Sequence, residues 1–270
     1  MLQGDSNLSF MEILMDKYQK QAIINYIQTF DPNNDLVKSI EPNQDYTSGT
    51  IKYNDSALYL HRNITTLGDE EYVRAYLVVR LVKELGYSSK EQIIELEKTY
   101  SIGRPNKKSA RVDVLVKYPS DWPEKSKQNT VFLFIECKTP ATFETDKAYI
   151  EGQLFNLSKQ EKPIPEFGLY YTTILADNKL FDNSLIVNFD EHPSWDSWDK
   201  EGQPSHSIIP ENYGIPKNIE YANVDSPTEE KRGLRTNVTR AEFDHLRKEL
   251  HDVIWGGGGT NNNDVFVILI

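Results

Sequence analysis

Between residues 69 and 159 the apolar residues change period twice, from helical to two and back, and that change restricts the fold more than any other feature. In 69–86, Val73, Leu77, Val78, Leu81, Val82 and Leu85 recur at spacings of one, three and four, and Gly86 stands where a C-terminal cap is expected. Residues 93–100 then alternate loosely. "RVDVLVKY" (111–118) puts Val112, Val114 and Val116 on one face, with Arg111, Asp113 and Leu115 on the other. "NTVFLFIECKTP" (129–140) holds a continuous apolar run, Val131 to Ile135, the mark of a strand buried on both faces. Helical spacing returns over 142–159 through Phe143, Ile150, Leu154 and Leu157. Two more strands follow in "FGLYYTTIL" (167–175) and "SLIVNF" (184–189). This order predicts an α/β fold with a central mixed sheet flanked by helices.

The flanks are less regular. Phe10, Ile13, Leu14, Ile24, Ile27 and Phe30 make a helical stripe, followed by a polar loop through Pro42-Asn43, so residues 1–60 read as an N-terminal helical extension. The main domain is expected over 61–235, with 190–235 as an elaborated loop onto which Trp195 and Trp198 anchor. Residues 236–270 read as a short amphipathic helix and a Gly-rich hinge, "WGGGGTNNND", leading to a missing C-terminal domain. No run approaches the ~18 apolar residues of a membrane helix. The N-terminus has no basic-then-apolar leader, and the single cysteine, Cys137, excludes an internal disulfide. These features predict a cytoplasmic protein without a membrane partner. A net charge of -11 argues against a surface built throughout to grip phosphate, although "GRPNKKSAR" (103–111) gathers Arg104, Lys107, Lys108 and Arg111.

Chemistry concentrates at the end of the apolar strand. Glu136 and Lys138 share one strand face, while Cys137 points to the other. If 111–118 and 131–138 pair as an antiparallel hairpin, Asp113 lies beside Glu136. Two adjacent carboxylates repel, and a hard cation such as Mg²⁺ relieves that cost. Lys138 could then orient or deprotonate a water and stabilise charge growing on a phosphate oxygen. A strand ending at the surface with Glu and Lys has the same pattern, so spacing alone leaves both readings open. The histidines show no zinc-ligand spacing, and the Gly-Lys pattern does not match a nucleotide-binding P-loop.

Four segments in order, "EEYVRAYLVVRLVKELGY", "ARVDVLVKY", "FLFIECKTP" and "EGQLFNL", resemble the N-terminal nuclease domain of type I restriction-enzyme subunits, within the PD-(D/E)xK superfamily. The resemblance covers roughly residues 65–175. It implies a restriction-endonuclease-like core that cleaves double-stranded DNA with Mg²⁺, for which Mn²⁺ would substitute. Asp113 and Glu136 would be the metal-binding acids, and Lys138 the motif lysine. Glu71, or its neighbour Glu70, would be the helix carboxylate supporting the metal, and Gln153 the glutamine that follows the catalytic strands. A tyrosine is usual four residues after that glutamine, and this chain has Leu157 there. The resemblance also implies methyltransferase, helicase or specificity domains or subunits as partners. The rival reading is a non-catalytic DNA-binding or docking module.

Overall fold

In the computed structural model, residues 15–101 and 109–214 are described. Helix α1 (Lys17–Phe30) starts where the Asp16 carboxylate accepts a hydrogen bond from the Gln19 N–H at 2.7 Å, filling one of the orphan donors of its first turn. Ile23, Ile24 and Ile27 turn inward from it. The next stretch departs from the expected loop. Val37–Pro42 forms β1, paired antiparallel with β2 (Gly49–Tyr53). This ribbon is polar on most of its positions, so no alternation announces it. It is fixed by pairing, and by Asp31, whose buried carboxylate accepts from the Leu36 and Val37 N–H groups. The segment expected as a helical extension is therefore one helix and a ribbon. Both contribute to the core beneath the main sheet.

That sheet has six strands in the order β3 (Tyr59–Leu60), β4 (Ile94–Ser101), β5 (Ser109–Lys117), β6 (Val131–Cys137), β7 (Phe167–Ala176) and β8 (Lys179–Asn188). The β3–β4 and β6–β7 pairs are parallel and the other three antiparallel, giving the mixed sheet that the pattern predicts. Helix α2 (Asp69–Lys83) lies between β3 and β4 in sequence. Asp69, Glu70 and Glu71 occupy its first turn, where the helix dipole favours negative charge. Gly86 ends it at φ +81°, and the Tyr87 N–H reaches back to the Leu81 carbonyl at 3.0 Å.

Strand alternation divides the core into two layers, except that the irregular pairing at Asp113 puts Val112 in the layer of Leu115 and not, as expected, with Val114 and Val116. Val114, Val116, Leu133, Ile135, Cys137, Leu169 and Tyr171 pack with α1, α2 and the ribbon. Leu115, Phe134, Tyr170 and Val187 face the other way, onto Phe143, Leu154, Phe155 and Trp198. The helical segment over 142–159 is broken: α3 (Pro140–Thr145), a 3₁₀ turn (Asp146–Tyr149) and a π-helical turn (Glu151–Asn156) follow one another. Within 190–235, Trp195–Lys200 forms α4, and Trp198 is fully buried with its indole N–H donating to the Pro204 carbonyl at 2.6 Å. The expected tryptophan anchor is present. Arg104, Lys107 and Lys108, residues 10–14, and the expected helix and hinge beyond residue 235 lie outside the described residues.

Candidate functional site

The β5–β6 hairpin brings Asp113, Glu136 and Lys138 together. Val114 pairs with Ile135, which puts Asp113 one step along at the level of Glu136. Asp113 Oδ2 accepts a hydrogen bond from the Cys137 N–H at 2.7 Å. Lys138 Nζ donates to Glu136 Oε1 at 2.6 Å, and its own N–H bonds the Tyr171 carbonyl at 2.8 Å, which fixes its place at the strand end. Asp113, Glu136 and Lys138 are 7%, 7% and 6% exposed. A strand merely ending at a solvated surface would expose them, so that reading does not hold.

Helix α2 and β4 complete the surroundings. Arg74, buried on α2, donates from Nη2 to Asp113 Oδ1 at 2.5 Å and from Nη1 to Glu71 Oε2 at 2.5 Å; Glu97 Oε1 lies 2.8 Å from the same Nη2. The Tyr53 hydroxyl of β2 donates to Glu71 Oε1 at 2.6 Å. Glu97 sits mid-strand at φ +61°, a left-handed conformation that costs roughly 1–3 kcal/mol for a non-glycine residue. The β4–β5 pairing records Leu96–Val114 and Lys98–Val112, and in the gap between them Glu97 and Asp113 both reach the one guanidinium.

Both Glu71 oxygens are thus engaged, by Tyr53 and by Arg74. Glu70 is the helix carboxylate whose charge acts on Glu136 and Lys138. Burial, then repulsion from Asp113, pushes the Glu70 carboxyl up to about 7. The same two causes in the same order push Glu136 well above the usual carboxylate range, with Lys138 only partly offsetting them. For Lys138, burial works to lower the ammonium, but Glu136, by charge and hydrogen bond, and then Glu70 and Asp113 raise it overall. Burial and then Asp113 raise the Cys137 thiol well above its ordinary value, so it is a packed thiol rather than a nucleophile.

A cleft of about 480 Å³ opens onto this cluster, lined in part by Glu70, Glu71, Arg74, Glu97, Asp113 and Glu136. Among the described residues, no three His, Cys, Asp or Glu side chains are grouped so that they could hold a metal ion as they stand. The donors nonetheless suit Mg²⁺, which takes one or two carboxylates and fills its remaining positions with water and phosphate. Glu136 Oε2 is buried without a hydrogen-bond partner, an expensive state that a divalent cation would relieve. Glu136 and Glu70 are the candidate carboxylates for such an ion, while both Asp113 oxygens, like those of Glu71, already accept hydrogen bonds, from Arg74 and from the Cys137 N–H. A larger cavity of about 820 Å³, lined in part by Tyr26, Phe30, Tyr76 and Phe181, shares no residue with this cleft.

Residues 69–162 match the family model of the type I restriction enzyme R protein N terminus. The R-protein match begins with α2 and runs through β4, β5 and β6 to just beyond the π-helical turn, so it contains Glu70, Glu71, Arg74, Glu97, Asp113, Glu136, Lys138 and Gln153. No curated protein matches the chain. Gln153, though inside the R-protein match, does not line the cleft; it lies on the π-helical turn with Oε1 buried and unpartnered. Sequence reasoning missed Tyr53, Arg74 and Glu97. Arg74 lies on the apolar-looking helix, where its spacings of four from Glu70 and three from Glu71 hinted at ion pairs.

Proposed function

We propose that this chain carries the endonuclease module of a type I-like restriction system, of the PD-(D/E)xK kind, hydrolysing phosphodiester bonds of double-stranded DNA with Mg²⁺ or Mn²⁺. The observation that carries this reading is the meeting of Asp113, Glu136 and Lys138 at the paired strand ends, inside the segment that matches R proteins. Glu136 and Glu70 would hold the ion beside Asp113, with Glu70 taking the part first given to Glu71. The bound ion supplies Lewis acidity and lowers the pKa of a water. Arg74 holds Asp113 in place from behind, with Glu71 and Tyr53 bracing Arg74 in turn. The raised Lys138 is an ammonium at neutral pH, so it serves as a donor to the attacking water or to a phosphate oxygen rather than as a base. Methyltransferase, helicase or specificity parts of the same system would supply target recognition. Nicking of supercoiled plasmid in Mg²⁺ tests the reading: the parent cuts, and Asp113→Ala and Lys138→Ala do not.

A non-catalytic docking module is the second reading. It is favoured by the engagement of Asp113 and Glu71 by Arg74, with no ligand set already assembled among the described residues. Calorimetric titration with Mn²⁺ separates the two. The nuclease reading predicts a site that Glu136→Gln weakens at least about tenfold, whereas a docking module gives no carboxylate-dependent heat.

A further inference from the structure

The rim of the cleft carries two arginines that this chemistry leaves unused. Arg62, just after β3, and Arg111, on β5, both approach Glu97 Oε2, from Nε at 2.9 Å and from Nη1 at 3.1 Å. Their side chains are 51% and 45% exposed, whereas Arg74, on the other Glu97 oxygen, is 4% exposed. Of the three guanidiniums lining the cleft, these two can therefore meet a ligand from solvent. Charge balance points the same way. Arg74 is already shared with Glu71 and Asp113, so one Glu97 carboxylate faces two further cations where one would neutralise it. Each guanidinium has five N–H donors in a planar fork, which leaves outward donors in the geometry that suits a phosphate. Thr66 and Ser109 line the same cleft.

We propose that Arg62 and Arg111, seated on Glu97, form a clamp that binds one backbone phosphate of duplex DNA at the mouth of the acid cleft. The inference rests on the nuclease reading and adds to it the residues that position the strand. Five carboxylates line the cleft against three guanidiniums, so a phosphate approaching it needs cations at the entrance.

The experiment is equilibrium binding of a labelled mixed-sequence duplex to the full chain in EDTA, so that metal and chemistry play no part. It is repeated between about 50 and 200 mM salt, where each neutralised phosphate contributes about -0.9 to the slope of log K against log salt. Arg62→Gln and Arg111→Gln should each make that slope shallower by about one, with melting temperatures near the parent's. Arg62→Lys and Arg111→Lys should restore it. If the parent binds DNA but neither Gln variant changes the slope, the clamp is overturned and the nuclease reading stands on plasmid nicking. If the parent binds no DNA at low salt, the clamp is likewise overturned, and nicking judges the nuclease reading separately.

Discussion

Arg74 shows what was hidden at the level of single residues. Asp113, Glu136 and Lys138 were legible because strand alternation fixes which side chains share a face, and an acid beside buried valines is costly without a partner. Arg74, Glu97 and Tyr53 come from three separated elements, and only tertiary closure shows that they meet. Helical phase could not choose between Glu70 and Glu71, since adjacent residues differ by only about 100° around the axis; that the hydroxyl of Tyr53 engages Glu71 is what favours Glu70 in the proposed site. Arg74→Met leaves Glu71 and Asp113 buried without their cation, and Glu97 with only the two rim arginines. It should lose on the order of 3–5 kcal/mol in urea unfolding, and Mn²⁺ should recover part of that loss. Glu70 gives a pH test. Its carboxyl rises from an ordinary 4.5 to about 7 in the fold, so over that window the folded state keeps a proton that the unfolded chain has released. Metal-free stability should therefore fall as pH rises from 4.5 towards 7, and melting of Glu70→Gln should show a flatter decline. Metal binding requires the ionised carboxylates and should tighten as pH rises through 7.

Among the elements, those with strong periodicity were legible and those made by pairing were not. Helix α2 and strands β5, β6 and β7 carry their own patterns. The β1–β2 ribbon has only Val37, Ile51 and Tyr53 buried, too few for a period. The β7–β8 hairpin turns on Asp177 and Asn178, both at positive φ, a tight turn that starts β8 at Lys179, five residues before the strand expected from Ser184. Two glycines test this backbone account with opposite signs. Gly86→Ala forces a side chain into the left-handed region and should destabilise by about 1–2 kcal/mol. Gly152→Ala places a methyl in open space on a helical turn and should stabilise by up to about 1 kcal/mol. Urea unfolding of both variants reads the two signs directly.

For the whole molecule, a chain of net charge -11 keeps its cations where they do local work. Arg74 is held inside the cluster and Arg62 and Arg111 stand at the rim of the cleft, while Lys138, which does not line it, sits on Glu136. Composition spoke only of the average, and the fold sorts the charges. In the proposed nuclease, Asp113 and Lys138 belong to a single reaction centre. The rate of plasmid nicking in Mg²⁺ should therefore be measured for the parent, Asp113→Asn, Lys138→Met and the double variant. Each single variant should lose about a hundredfold or more, and the double variant little beyond that. Unchanged nicking in either single variant, or losses that multiply in the double, would contradict a single centre.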